Sequence, residues 1–86
     1  MSWITEVINL HGNPAVERLN VQLAHSTRSV WVWYLDGANH NVGITRRGNR
    51  WEASASGTEG TATWQGKTEP SDQTIRYLCA TVGLLP

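Results

Sequence analysis

The chain has 86 residues, five Trp and no Phe, a single Cys, and seven basic against seven acidic residues. That length predicts one domain with a thin core, burying about 60–65% of the surface exposed by the unfolded chain. Zero net charge argues against a general nucleic-acid or membrane-surface binder, and the lone Cys79 excludes an internal disulfide framework.

The sequence has no apolar window of about 18 residues, the length a membrane helix needs. Met1-Ser-Trp-Ile-Thr-Glu6 lacks the basic start and long apolar run of a signal peptide, so a cytoplasmic protein is the expectation. Six Arg against one Lys, with no Phe, suggest a gene rich in GC. Each buried Trp is worth on the order of 4–6 kcal/mol gross, so most of Trp3, Trp31, Trp33, Trp51 and Trp64 are expected to be structural.

At the N-terminus, Trp3, Ile4, Val7 and Ile8 suit a short helix ending near Gly12, or a strand. Asn13-Pro14 followed by Glu17 reads as a helix start, because Asn caps and Pro fits the first turn. Ala15, Val16, Leu19 and Leu23 then form a stripe, and residues 15–25 are predicted helical. Leu19, Val21 and Leu23 also alternate as a strand would. In that case a hairpin through Thr27-Arg28 sets Leu23 opposite Val32 and Val21 opposite Tyr34.

Ser29-Val-Trp-Val-Trp-Tyr-Leu-Asp36 is a strand with both faces apolar: Val30, Val32 and Tyr34 on one, Trp31, Trp33 and Leu35 on the other. A turn within Asp36-Gly-Ala-Asn-His-Asn41, looping through Ala38-Asn39 or Gly37 to His40, sets Trp31, Trp33 and Leu35 against Arg46, Ile44 and Val42. Arg47-Gly-Asn-Arg50 reads as a tight hairpin, since Gly48 and Asn49 both tolerate positive φ. Arg46 then faces Trp51, Ile44 faces Ala53 and Val42 faces Ala55. A last turn at Gly57-Thr-Glu-Gly60 sets Ala62 opposite Ala55 and Trp64 opposite Ala53. Indoles beside alanines on one face suit a packed core.

A helix should cover that face. Ser71 is a plausible N-cap, Asp72 stands in the first turn, Gly83 lies near the end, and Ile75, Leu78, Cys79 and Val82 form the buried stripe. The opposite, mostly polar face carries Val30, Val32 and Tyr34. Their expected cover is the N-terminal segment of the chain, and the alternative is an exposed patch for a partner.

Little points to chemistry. His11, His25 and His40 stand near element ends without metal-ligand spacing, so they read as turn or cap residues. Cys79 falls on the buried stripe and reads as a core thiol, and Asp36, Asp72 and the glutamates are dispersed. No phosphate-binding loop, dinucleotide fingerprint or nucleophile elbow occurs. No enzyme, cofactor or metal is predicted. Arg46-Arg47-Gly-Asn-Arg50 is the sharpest local feature. Arg46 is expected over Trp51, while Arg47 and Arg50 project from the hairpin tip on the polar face, as a solvated turn eased by Glu52 or as a contact for phosphate or an acidic partner.

Gly43-Ile-Thr-Arg-Arg-Gly-Asn-Arg-Trp-Glu-Ala-Ser-Ala, followed by Thr-Ala-Thr-Trp and a helix, resembles the three-stranded arm-binding domain of phage integrases over residues 41–83. That resemblance implies three strands on a C-terminal helix and a sheet that reads DNA, although Lys67 alone is basic where that family carries several such residues. The helix–three-strand–helix order is similar to double-stranded-RNA-binding domains, whose basic cluster at the start of the last helix is replaced by Glu69-Pro-Ser-Asp72. As a whole the chain resembles short accessory proteins of phages of GC-rich, actinobacterial hosts. That implies a small intracellular protein that binds and perturbs a host protein.

The expected fold is therefore α+β: a four-stranded antiparallel meander over 29–67 packed on a C-terminal helix over 71–83, with an N-terminal helical segment. The expected function is non-enzymatic protein binding through Val30, Val32, Tyr34, Arg46, Arg47 and Arg50. The alternative is nucleic-acid binding through Arg46, Arg47 and Arg50, and the sheet edges offer a route to self-association.

Overall fold

Two helices enclose a run of five strands in the order α1 (Trp3–His11), β1 (Ala15–Leu23), β2 (Ser26–Tyr34), β3 (Asn41–Arg47), β4 (Arg50–Gly57), β5 (Gly60–Gly66) and α2 (Asp72–Thr81). The computed structural model describes residues 2–35 and 40–86. The strands form one antiparallel sheet in sequence order, β1-β2-β3-β4-β5. The fold is α+β, with five strands where four were expected.

The extra strand is the segment predicted to be helical. Residues 15–23 pair with β2 along their whole length, from Ala15 opposite Tyr34 to Leu23 opposite Ser26. A helix here would need an apolar surface to lie on, and both helices already occupy the Trp-bearing face. As a strand, the segment gains a nine-residue ladder and places Leu19 beside Val30. The turn is Ala24-His25 and not Thr27-Arg28, so Leu23 and Val21 oppose Ser26 and Arg28 in place of Val32 and Tyr34.

The hairpin registers of β3–β4 and β4–β5 are those the sequence predicts. Arg46 opposes Trp51, Ile44 opposes Ala53, Val42 opposes Ala55, and Ala62 and Trp64 oppose Ala55 and Ala53. Gly48 has φ +60 and among the described residues none other than glycine has positive φ, so one left-handed residue suffices for the β3–β4 turn. The β2–β3 register is two residues away from expectation: Trp31 opposes Ile44 and Trp33 opposes Val42. Leu35 donates its N–H to the carbonyl of His40, so the connection spans residues 36–39. The predicted turn at Ala38-Asn39 lies outside the described residues. Because the slip is even, every side chain keeps its face.

On the helix face, Leu35, Val42, Ile44, Ala53 and Ala55 join Ile75, Leu78, Cys79 and Val82 of the α2 region in one buried cluster. α2 begins at its Ser71 cap, whose Oγ accepts from the Thr74 N–H. It ends two residues before the expected position, with the Gly83 and Leu84 amides returning to Ala80 and Cys79. The chain then continues inward: Leu84 and Leu85 are buried, and the Val82 carbonyl accepts from the Glu59 N–H. This tail crosses so close to β4 that a methyl group on Gly57 would meet the Val82 carbonyl oxygen.

α1 lies beside α2 on the same face. Of the five indoles, only Trp3 is buried, the others being half-buried, and it stands edge-on to Trp33 with ring centroids 5.2 Å apart. Three polar links run along the helix pair. Asp72 Oδ1 accepts the Trp3 N–H at 2.7 Å, Arg76 Nε meets Glu6 Oε2 at 2.6 Å, and His11 Nε2 donates to the Leu84 carbonyl at 2.7 Å. Start meets start and end meets end, so the helices run parallel, with Asp72 placed where both positive helix ends favour a carboxylate. Trp3→Ala should cost about 3–5 kcal/mol in urea denaturation. Gly57→Ala should cost about 1–3 kcal/mol by forcing the tail off β4.

Candidate interaction surface

With α1 and α2 on one side, the other side of the sheet carries no helix among the described residues. This open face gathers Val30, Val32 and Tyr34 from β2, with Leu19 and Val21 of β1 beside them. Val30 and Val32 are half-buried by their neighbours, Tyr34 is exposed, and Leu19 is 47% exposed. The N-terminal segment therefore does not fold over the apolar strip as expected. It extends the strip sideways, because β1 joins the sheet edge and α1 turns to the opposite face. The Tyr34 hydroxyl donates to Glu17 Oε2 at 3.0 Å, and that hydrogen bond to a carboxylate, followed by the carboxylate's charge, raises the phenol above its usual value of 10.0.

Next to the strip runs a row of like charges. Arg28 opposes Arg47 across β2–β3, and Arg47 opposes Arg50 across β3–β4. All three guanidinium groups rise from the open face, and no ion pair joins any of them among the described residues. Like charges set directly opposite one another destabilise a sheet by a few tenths of a kcal/mol or more. Glu52, one residue pair away, eases this in part. Arg28, Thr45, Arg47, Arg50 and Glu52 line a shallow depression, and a second one of about 160 Å³ adjoins it over Gly43, whose missing side chain leaves space beside Ser54 and Thr63.

Of the six residues singled out in the sequence, five come together here: Val30, Val32, Tyr34, Arg47 and Arg50. Arg46 does not. It points to the helix face, where its guanidinium carbon lies 5.5 Å from the Trp51 ring centroid and its Nε donates to the Gly48 carbonyl. Trp51 in turn stacks on Trp31 at 6.2 Å and 12°, so Arg46 caps an aromatic pair beyond the end of the helices. Two members of the open face were missed, Leu19 and Arg28. Leu19 required reading 15–23 as a strand, and Arg28 required the true β2–β3 register, which alone places it opposite Arg47.

The groups that carry chemistry are dispersed. No group of three or more His, Cys, Asp or Glu that could hold a metal occurs among the described residues. His11 is engaged as a clasp on the C-terminal tail rather than solvated. Cys79 is buried, and burial pushes its thiol up from 9.0 to about 11, which keeps it protonated at neutral pH. Among the described residues no helix is long and apolar enough to cross a membrane.

Arg47→Thr removes both like-charge contacts of the row, so it should raise stability by about 0.5–1 kcal/mol at low salt, with the gain fading in 1 M salt. Native Cys79 should resist thiol reagents at pH 8 and react on denaturation. Because its folded pKa lies above the unfolded one, its contribution to stability is complete below about pH 9 and is lost as the pH rises from 9 to 11. The slope of stability against pH over that interval, compared with Cys79→Ala, measures it.

Comparison of the chain with protein-family models, with curated proteins and with solved structures yields no match, so the reading of this surface rests on its own geometry.

Proposed function

We propose that this protein is a non-enzymatic binding module that docks a protein partner on the open sheet face. The observation that carries the reading is the juxtaposition of an apolar strip, Leu19, Val30, Val32 and Tyr34, with an arginine row that has no acidic counterpart opposite it. Aromatic and Arg side chains are the usual interface anchors, and the row calls for negative charge from outside the chain. The expected partner surface is an apolar ridge flanked by Asp or Glu. The open face alone explains why apolar side chains stand beside charged ones with no helix over them. The chain's resemblance to phage accessory proteins supports a host protein as the target.

Nucleic-acid binding is the second reading, and the arginine row is the observation that favours it. Three phosphate contacts would give an affinity falling with salt at a log–log slope of about −2.7 on duplex DNA. Zero net charge and the apolar strip weigh toward a protein.

Capture from a host lysate, with and without nuclease, separates the two. The expected result is a nuclease-resistant protein retained by the native chain. It should be lost with Val32→Ser/Tyr34→Ser and weakened at least tenfold by Arg47→Glu, while both variants keep the native circular dichroism. Capture that vanishes with nuclease, or that survives both variants, would overturn the reading. If the Val32→Ser/Tyr34→Ser variant unfolds, those residues serve the core and the strip is not a binding surface.

A further inference from the structure

β1 forms one edge of the sheet, and among the described residues no strand pairs with its outer side. Leu35 donates to His40, so the odd-numbered residues of β2 bond toward β3 and the even-numbered ones toward β1. Carried across the β1–β2 ladder, this turns the amides and carbonyls of Val16, Arg18, Asn20 and Gln22 outward. Natural edges are usually guarded by proline, a bulge, charged side chains or short length. β1 runs nine residues in unbroken register with Pro14 before it, and its only charges are one of each sign, Glu17 and Arg18. The opposite edge, β5, is shorter, begins and ends with glycine, and shows Thr61, Thr63 and Gln65 on the open face.

Two exposed apolar side chains mark the same strand. Val16 is 49% exposed on the helix face and Leu19 is 47% exposed on the open face. A partner docked on one face covers one of them. A strand added at the edge brings side chains beside both.

We propose that β1 pairs antiparallel with β1 of a second copy of this chain about a two-fold axis through Leu19, giving a continuous ten-stranded sheet. Charge and the exposed Leu19 favour this register. Centred on Leu19, Leu19 meets Leu19, Arg18 meets Asn20, Glu17 meets Val21 and Val16 meets Gln22, with no like charges opposed. Centring on Arg18 opposes two guanidinium groups, and centring on Glu17 opposes two carboxylates. Centring between residues would set side chains of opposite faces against each other, which antiparallel pairing forbids. In the Leu19 register, the outward groups of Arg18 and Asn20 bond to each other, and the Leu19 pair occupies a closely spaced position. The two apolar strips merge through Val30, Leu19, Leu19 and Val30. Each arginine row, continued across Val21, ends at Glu17 of the second copy, roughly 10 Å from Arg28 at two strand spacings and within the joint reach of the two side chains. The dimer goes beyond the docking function and does not depend on it, since it uses the edge and leaves Val32, Tyr34 and the arginines on an open face.

Sedimentation of the purified chain from about 10 μM to about 1 mM tests the pairing. The expected result is a mass rising from 9.5 kDa toward twice that value. Amide exchange at Arg18 and Asn20 should slow as the concentration rises. Leu19→Arg opposes two charges at the axis and should be monomeric throughout. Arg18→Pro should be monomeric too, because the N–H it removes points outward and the ladder to β2 stays intact. Native circular dichroism of Leu19→Arg shows that the fold survives, and this variant decides the matter if Arg18→Pro misfolds. A native chain that stays monomeric across the range, or a dimer that persists in Leu19→Arg, would overturn the proposal.

Discussion

Trp3 stands edge-on to Trp33, and on that contact the placement of α1 beside α2 turns. Trp33 belongs to a strand with apolar side chains on both faces, so nothing within β2 itself decides which face becomes the core. The balance is set by the rest of the meander. Val42, Ile44, Ala53 and Ala55 make the Trp side continuous and level, with small side chains beside large ones, whereas the other side is broken by Gly43, Ser54 and the arginines. Burial of apolar area therefore favours α2 on the Trp side, and α1 follows because Trp3 finds an indole there. The links from Asp72, Arg76 and Leu84 to α1 hold the helix pair in register more than they add stability, since exposed ion pairs contribute little.

Once both helices share a face, the opposite face is left to solvent or a partner. A sheet with one wet face normally alternates apolar and polar, and β3 to β5 obey this. β2 is apolar on both faces, and β1 alternates with the apolar side chains Leu19, Val21 and Leu23 on the open face, so these two strands carry the apolar strip. The same register that aligns the strip also aligns Arg28, Arg47 and Arg50, at a local cost to the sheet. Uncovered apolar area and like charge that Glu52 eases only in part both cost the fold some stability. The thin core bears this cost through its tail: Leu84 and Leu85 bury themselves beneath the helices and seal the end of β4.

Much of the candidate surface was legible in the sequence, and what was hidden was hidden by pairing. Arg47 and Arg50 flank a turn whose chemistry is local, so their shared face followed from Gly48-Asn49 alone. Arg46 was correctly read against Trp51 but wrongly grouped with its neighbours, because one step along a strand reverses the face. Arg28 joined the row only through a two-residue difference in the β2–β3 connection, whose length no local signal sets. Leu19 was obscured because a stripe at helical spacing and an alternation at strand spacing coexist in residues 15–23.

The sequence by itself determined the elements with local punctuation: the Ser71-capped helix, the Gly48 turn, the Gly57–Gly60 turn, and the even spacing that gathers the indoles on one face. These depend on dihedral preferences and capping bonds a few residues apart, which the chain carries wherever it folds. Tertiary structure decided the rest. Residues 15–23 became a strand because the surface a helix would need was already occupied, α1 went to the Trp face because Trp33 was there to receive Trp3, and the arginines lined up because a ladder between distant strands settled at one register. Each of these outcomes is a competition between contacts far apart in the chain, and the residues record both contestants without recording which prevails.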